Sequence, residues 1–224
     1  PTTIGAVNFG STALGYAVLP GTGSSIQLTL AGQYLSAAYP GSGWMAVAAA
    51  AQGPGYGIYL RNAISGQIIR WDADASGAVT GGAFLSTPQV LQAENDLGFD
   101  LNGDSITGLA FTSGPLTVAG VTLGTAPQGY AIKPASGPAV PVTYQGQMIS
   151  VQSLGAWQGL AATPGDGGVG FVVYLGNSAT NQYALWKLGS SGAFESASLL
   201  SPSALFAAET SLNADLNRSG VIGA

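Results

Sequence analysis

Short apolar or alternating segments recur along the chain at the length of β-strands, and glycine-containing turns separate them. This pattern is typical of sheets built from many short strands and not of disordered chain. In the first half of the chain it predicts strands at Ile4–Phe9, Gly15–Leu19, Ile26–Leu30, Trp44–Ala50, Gly55–Arg61 and Gln67–Asp72. In the second half, Phe171–Leu175 and Tyr183–Leu188 are predicted to form the hairpin equivalent to the last two of these strands.

One segment in each half has the signals of a helix. Ser86-Thr87-Pro88 and Ser201-Pro202 each supply an N-cap residue and a first-turn proline. Apolar residues then follow at helical spacing: Val90, Leu91, Ala93 and Leu97 in the first half, and Leu205, Phe206, Ala208 and Leu212 in the second. The sequence therefore predicts a mainly β fold of the α+β class. We expect antiparallel-sheet modules, each with one short helix followed by an Asp-Leu-Asn loop.

The two halves of the chain repeat one another. Trp71 and Trp186 are separated by 115 positions, and Asp100-Leu-Asn102 and Asp215-Leu-Asn217 have the same separation. A repeat of this kind predicts two tandem copies of one module, at residues 1–110 and 111–224. Neighbouring repeats of a longer chain are then among the expected partners.

Charged residues make up only 7% of the chain, and the net charge is −5. The five basic residues are scattered, which argues against nucleic acid as a partner because phosphate binding needs clustered cations. The longest strongly apolar stretch, Trp44–Ala51, is too short for membrane insertion. The low isoelectric point and the absence of cysteine suit a secreted bacterial surface protein.

The first acidic loop has the spacing of a calcium site. Oxygen-bearing side chains at positions one, three and five of a tight loop converge on one point, and a carbonyl at position seven can join them. Position six carries Ser105 where glycine is usual, and position twelve carries Phe111 where a bidentate glutamate is usual. A remote carboxylate would have to complete the shell. The predicted Ca²⁺ ligands are Asp100, Asn102, Asp104, the carbonyl of Ile106, and Glu94 from the helix.

The second acidic loop has one carboxylate fewer and gains Arg218, so we expect weaker calcium binding there or none. The alternative for both loops is an Asx-turn, in which the side chains bond their own backbone. A third acidic segment, Asp72–Gly77, has a spacing that also fits a cation loop. We predict a β-turn there instead, because the second half lacks its carboxylates and a turn between strands explains both copies. The candidate ligands of the second loop are Asp215, Asn217, Ser219, the carbonyl of Val221, and Glu209.

Catalysis is not expected. The chain has no histidine and no cysteine, so it offers neither an imidazole base nor a thiol nucleophile. Glu94 and Glu209 belong to separate repeats, which argues against a shared carboxylate pair of the glycosidase type.

The aromatic residues suggest a second kind of function. Trp44, Trp71, Trp157 and Trp186 recur with the repeat, and we interpret them as core residues that each copy must rebuild. Tyr39, Tyr56 and Tyr144 lie near predicted turns and are expected to be exposed. Exposed aromatics can stack on sugars, so a carbohydrate-binding module with glycans as partners is the alternative.

The order of these motifs resembles the tryptophan-rich C-terminal domain first described in Synechocystis proteins. The first copy carries the motif set at Gly43-Trp44, Gly55–Tyr59, Ile69–Gly77, Glu94 and Asp100–Asp104, and the second at Trp157, Gly170–Tyr174, Leu185-Trp186, Ser191-Gly192, Glu209 and Asp215–Asn217. The resemblance implies a module of large bacterial extracellular proteins, often beside calcium-binding repeats and in adhesin-like chains. The family's loop usually reads Asp-Leu-Asn-Gly-Asp-Gly, from which Ser105 and Arg218-Ser219 depart.

Together these observations predict a non-catalytic extracellular surface, adhesin or matrix module that calcium stabilises. A self-assembling fibre subunit, whose partner is another copy of the chain, is a further alternative because strand-rich repeats can pair edge to edge.

Overall fold

The computed structural model describes residues 2–36, 41 and 43–224. The chain forms two compact units, Pro1–Gly108 (unit 1) and Leu109–Ala224 (unit 2). Strands dominate both units, and the described residues contain one α-helix in each. The predicted mainly β fold is confirmed.

Unit 1 is built from two four-stranded antiparallel sheets, a two-stranded hairpin and a helix. The first sheet has the order β1-β2-β3-β4 and the second β10-β9-β8-β7, while β5 pairs with β6. The elements are β1 (Thr2–Ile4), β2 (Val7–Thr12), β3 (Gly15–Pro20), β4 (Ile26–Gln27), β5 (Thr29–Leu30), β6 (Gln33–Tyr34), β7 (Trp44–Gln52), β8 (Gly55–Asn62), β9 (Ile68–Ala73), β10 (Val79–Phe84) and α1 (Thr87–Leu97).

Unit 2 has the same order of elements and the same pairing. One sheet is β11-β12-β13-β14, the other is β17-β18-β19-β20, and β15 pairs with β16. The elements are β11 (Thr112–Val118), β12 (Val121–Ala126), β13 (Gly129–Lys133), β14 (Val140–Pro141), β15 (Thr143–Tyr144), β16 (Gln147–Met148), β17 (Trp157–Pro164), β18 (Phe171–Asn177), β19 (Gln182–Leu188), β20 (Phe194–Leu200) and α2 (Pro202–Leu212). Two short 3₁₀ turns, Gln152–Leu154 and Asp166–Gly168, flank β17.

Two of the predicted strands are divided in the structure. The segment Ile4–Phe9 contains a tight hairpin, because Gly5 adopts a φ of 58° and Ile4 pairs with Val7. The segment Ile26–Leu30 is interrupted at Leu28, whose side chain is fully buried and whose N–H donates to the carbonyl of Tyr16. Apolar periodicity does not detect either break, since small or apolar residues continue through it in the sequence.

The second sheet of unit 1 is covered on both faces, which explains the run of buried residues in β8. Tyr56, Ile58 and Leu60 belong to the cluster that packs against the first sheet. Tyr59, on the opposite face, belongs to the cluster that includes Val90 of α1 and Leu101. Strands that are buried on both faces lose the simple alternation of polar and apolar residues. In unit 2, β18 divides its side chains between two clusters in the same way.

The four tryptophans are half-buried, and each packs against the central cluster of its own unit: Trp44 and Trp71 in unit 1, and Trp157 and Trp186 in unit 2. The ring of Trp186 also contacts Phe194 edge to face, with the centroids 5.2 Å apart. The tryptophans therefore line the edge of each core, as their recurrence predicts, although none is completely buried.

Candidate functional site

Each helix leads directly into an acidic loop. Helix α1 ends at Gly98, which adopts the left-handed conformation with a φ of 63°, and α2 ends at Asn213 with a φ of 50°. These left-handed residues reverse the direction of the chain, which then turns back along the helix. We call Asp100–Ile106 loop 1 and Asp215–Val221 loop 2.

A buried glutamate from the helix holds loop 1 by its backbone. The side chain of Glu94 is 0% exposed. Its Oε1 accepts hydrogen bonds from the N–H groups of Leu101 and Asn102, both at 3.0 Å, and its Oε2 accepts one from Gly108 at 3.1 Å. One carboxylate thus holds the start of loop 1 and the segment just after it against α1.

Unit 2 repeats this arrangement group for group. Glu209 is also 0% exposed. Its Oε1 accepts from the N–H groups of Leu216 and Asn217 at 3.0 and 2.9 Å, and its Oε2 accepts from Gly223 at 3.0 Å. The same three bonds, formed 115 positions later, indicate that the helix, the glutamate and the loop are one structural unit.

The electrostatic balance at Glu94 reflects its burial. Burial raises the pKa of the Glu94 carboxyl above its ordinary value, and the three N–H donors oppose that rise. The negative charge of Asp104 raises the pKa of Glu94 further. The charge of Asp104 on loop 1 is therefore felt at the buried carboxyl of Glu94.

The predicted side-chain ligands of loop 1 lie together on the loop and accept bonds from its backbone. Asp100 accepts from Gly103 at 2.6 Å through Oδ1 and from Ser105 at 2.8 Å through Oδ2. The Oδ1 atoms of Asn102 and Asp104 each accept, at 2.8 Å, from the N–H two residues further on. These are successive Asx-turns, and each leaves further lone pairs on the oxygen atoms.

Loop 2 has a similar but not identical set of bonds, because Oδ1 of Asp215 accepts from the N–H of Ser219 and not from that of Arg218, the counterpart of Gly103. Asp215 accepts from Ser219 and Gly220, and Oδ1 of Asn217 accepts from Ser219 at 2.8 Å. The Ser219 hydroxyl, however, donates to the carbonyl of Val221 at 2.9 Å. Two of the predicted ligands of loop 2 therefore bond to each other.

Two non-glycine residues of these loops, Ser105 and Arg218, occupy left-handed backbone conformations. Ser105 has a φ of 70°, whereas its counterpart Gly220 has a φ of 86°. Arg218 has a φ of 58°, whereas its counterpart Gly103 has a φ of 82°. The glycines expected by the family pattern thus mark a real backbone requirement, which this chain meets with a strained serine and a strained arginine.

The structure separates the predicted ligands by their role. The side chains of Asp100, Asn102 and Asp104 are on the loop itself, while Glu94 lies beneath it and faces backbone N–H groups. Within residues 2–36, 41 and 43–224, no group of three or more Asp, Glu, His or Cys side chains is positioned to hold a metal ion. Loop 1 itself contributes two carboxylates.

The third acidic segment forms a closed turn. Oδ1 of Asp74 accepts from the Ser76 N–H at 2.8 Å, from the Ser76 hydroxyl at 2.6 Å and from the Ala78 N–H at 3.1 Å. These bonds lower the pKa of Asp74, with the Ser76 hydroxyl as the largest cause. The turn predicted from the sequence is present.

The tyrosines predicted to be exposed differ in their actual exposure to solvent. Tyr144 is 45% exposed, as predicted. Tyr56 is 9% exposed, so that prediction was wrong: its side chain points from β8 into the cluster between the sheets. Tyr39 lies outside the described residues.

Sequence reasoning did not identify Arg61 as part of the site. Its guanidinium lies against Gly103 and occupies the space that a side chain on that glycine would need. The repeat itself carries the signal, because the positions of Arg61 and Gly103 are exchanged for glycine and arginine in unit 2.

Neither helix of the described residues is long and apolar enough to cross a membrane. Comparison with curated proteins and with solved structures gave no match to this chain. A family model does match: residues 121–223, nearly all of unit 2, are similar to the Tryptophan-rich Synechocystis species C-terminal domain.

Proposed function

We propose that this chain is a non-catalytic structural module of a bacterial extracellular surface, adhesin or matrix protein, and that calcium stabilises it at loop 1. The observation that carries the proposal is the construction of loop 1. Asp100, Asn102 and Asp104 present oxygen atoms from consecutive turns, on a backbone that a buried carboxylate holds in place. The family match of unit 2 supports a module of this bacterial type.

Calcium would take its ligands from the exposed side of loop 1. The side-chain oxygens of Asp100, Asn102 and Asp104, the carbonyl of Ile106 and water would coordinate it, since Ca²⁺ accepts six to eight oxygen ligands. Glu94 would act as a positioning residue, because its two oxygens already accept three N–H bonds. With two carboxylates on the loop, the dissociation constant should fall in the range of extracellular modules, about 10⁻⁴–10⁻³ M.

Loop 2 would remain free of calcium at concentrations that fill loop 1. It has a single carboxylate, Asp215, and Arg218 adds a positive charge. Its Ser219 hydroxyl and Val221 carbonyl satisfy each other. The two loops would therefore share one scaffold and differ in cation binding.

The non-catalytic part of the proposal rests on the chemistry of the carboxylates. Glu94 and Glu209 are buried against backbone donors, and the chain has no histidine or cysteine to serve as base or nucleophile. A general acid or base must reach the proton that it transfers. Neither glutamate is accessible for that role.

Calcium titration of EDTA-treated protein by isothermal calorimetry, together with melting curves in calcium and in EDTA, tests the proposal. We expect saturable binding and a higher melting temperature in calcium, both lost in Asp100→Asn and Asp104→Asn. Asp74→Asn, which removes a carboxylate from the closed turn, and Asp215→Asn should leave the calcium response intact. Equal melting temperatures of the wild-type protein in calcium and in EDTA would exclude the calcium site.

The location of the protein requires a separate test. Antibodies raised against this chain should label intact cells of the source bacterium, or its extracellular matrix, without permeabilisation. Labelling that appears only after permeabilisation would contradict the extracellular assignment.

A further inference from the structure

Unit 2 contains two adjoining clefts that share Asn181, Tyr183 and Asn217 as lining residues. The larger has a volume of about 490 Å³ and extends to the first turns of α2. The smaller has a volume of about 230 Å³ and extends to β17 and the end of β18. Together they run along the side of loop 2, and the volume of the larger cleft falls in the range of small-molecule sites.

One side of the clefts is apolar and aromatic. Tyr183 is half-buried and packs, with Leu200 and Leu160, against the cluster under α2. Phe206 and the buried Leu205 line the larger cleft from the helix. Gly176 keeps the space beside the tyrosine ring open, since a Cβ there would lie 3.3 Å from Cε1 of Tyr183. An aromatic ring in this setting can pack against the C–H face of a sugar.

The other side is a row of neutral amides whose carbonyl oxygens are already occupied. Oδ1 of Asn177 accepts from the N–H groups of Ala179 and Thr180. Oδ1 of Asn181 accepts from the Tyr183 hydroxyl at 3.3 Å, and Oε1 of Gln182 accepts from the Thr180 hydroxyl at 3.1 Å. The NH₂ groups of Asn177, Asn181 and Gln182 remain as donors, and none of them has a partner among the described residues.

The chemistry of the lining selects the class of ligand. No Asp or Glu side chain lines either cleft, and Arg218 supplies the one charged side chain among the lining residues. An anionic ligand would require more cations than this. A purely apolar ligand would strand the amide donors, which costs free energy when they lose water. A ring with an apolar face and hydroxyl acceptors at its rim satisfies both sides.

We propose that the adjoining clefts bind a neutral saccharide, with consecutive rings of a glycan chain seated along Tyr183. Two clefts side by side suit an oligosaccharide better than a single sugar. The site uses tyrosine and phenylalanine, and the half-buried tryptophans are not needed for it. It is also independent of the calcium proposed at loop 1, because Asn217 belongs to loop 2.

Binding can be measured by saturation-transfer NMR and calorimetry with maltohexaose, cellohexaose and chitohexaose at millimolar concentration, each in calcium and in EDTA. We expect at least one of them to bind. Tyr183→Ala should weaken that binding at least tenfold, and so should Asn181→Ala combined with Gln182→Ala. Tyr144→Ala removes an exposed tyrosine elsewhere in unit 2 and should leave the affinity unchanged.

The double amide variant keeps the test decisive if Tyr183→Ala does not fold, because Asn181 and Gln182 are both exposed. Absence of binding to all three oligosaccharides would overturn the proposal, as would wild-type affinity in a folded double amide variant. If the wild-type protein bound a saccharide but its melting temperature did not respond to calcium, the result would instead count against the function proposed for loop 1.

Discussion

The guanidinium of Arg61 lies against Gly103, so that strand β8 contacts loop 1 through one long side chain. The equivalent positions in unit 2 are Gly176 and Arg218, each 115 residues later, and there the arginine is on the loop and the glycine is on the strand. Gly176 and Arg218 line the same cleft. Each unit therefore carries one arginine and one glycine at this pair of positions, although in unit 2 the side chains nearest to Gly176 are those of Leu160 and Tyr183.

This exchange predicts that the two positions are energetically coupled. Gly103→Arg should lower the free energy of unfolding of the chain by about 2 kcal/mol, from the left-handed backbone and the displaced guanidinium. Adding Arg61→Gly should restore about 1 kcal/mol, because it reproduces the arrangement of unit 2. Urea unfolding of the wild type, both single variants and the double variant measures the coupling.

Gly5→Arg is the matched control for this double-mutant cycle. Gly5 has a φ of 58°, equal to that of Arg218, but a Cβ there would meet nothing within 4 Å. Gly5→Arg should therefore show only the loss of stability that the left-handed backbone causes, and it should show no coupling to Arg61→Gly. If the changes in the free energy of unfolding caused by Gly103→Arg and Arg61→Gly were additive, the two positions would not be energetically coupled.

The buried glutamates should be the most sensitive polar residues of each unit. Glu94→Gln replaces an acceptor oxygen with an NH₂ group that must face backbone donors, and it leaves at least one buried N–H unpaired. We expect a loss of about 2–3 kcal/mol in the free energy of unfolding, and a similar loss for Glu209→Gln. Chemical unfolding measures both.

Glu195→Gln makes the same chemical change at an exposed position of β20 and should alter stability by less than about 0.5 kcal/mol. If Glu94→Gln proved as mild as Glu195→Gln, the carboxylate would not be what holds loop 1.

The role of Glu94 illustrates how far the sequence leads. Its spacing from Asp100 correctly associates the helix with the loop, and the recurrence at Glu209 correctly identifies a shared feature. The sequence suggested a ligand that completes a calcium shell, whereas the structure directs both oxygens to backbone N–H groups. The spacing of side chains in the sequence indicates which residues lie near the loop. It does not indicate which backbone N–H groups face them, because every residue type except proline carries the same N–H group.

Two of the strands that the sequence missed, β10 and β20, share a physical reason. In β10, every residue from Thr80 to Phe84 is exposed, and two of them are glycines. In β20, most residues are exposed as well. A strand at the edge of a sheet with little buried surface has no apolar periodicity to detect, and its position depends mainly on pairing with β9 or β19. A few aromatic contacts, such as Phe84 with Trp44 and Phe194 with Trp186, add to that pairing.

The left-handed residues of the loops predict stabilising substitutions. Ser105→Gly should relieve the strain at a φ of 70° and raise the free energy of unfolding by up to about 1 kcal/mol, after the greater flexibility of glycine in the unfolded chain is deducted. The reverse change at the counterpart position, Gly220→Ser, should lower it by a similar amount. Thermal and urea unfolding measure both, and a stabilising Gly220→Ser would contradict the assignment of strain to this position.

Alkaline pH should destabilise the protein through Tyr59. Burial raises the pKa of the Tyr59 hydroxyl above its ordinary value, and the positive charge of Arg70 opposes the rise. The folded protein therefore retains the phenolic proton to higher pH than the unfolded chain does. The resulting stability is complete below the ordinary pKa of about 10 and declines as the pH rises through the folded pKa.

Tyr59→Phe keeps the ring in the cluster with Val90 and Leu101 but has no proton to lose. Urea unfolding between about pH 8 and pH 11 should therefore show a smaller alkaline decline in this variant than in the wild type. Tyr174→Phe should have a parallel effect in unit 2, because burial also raises the pKa of Tyr174. A stability difference between Tyr59→Phe and wild type that stays constant over this range would mean that Tyr59 does not contribute to the alkaline decline.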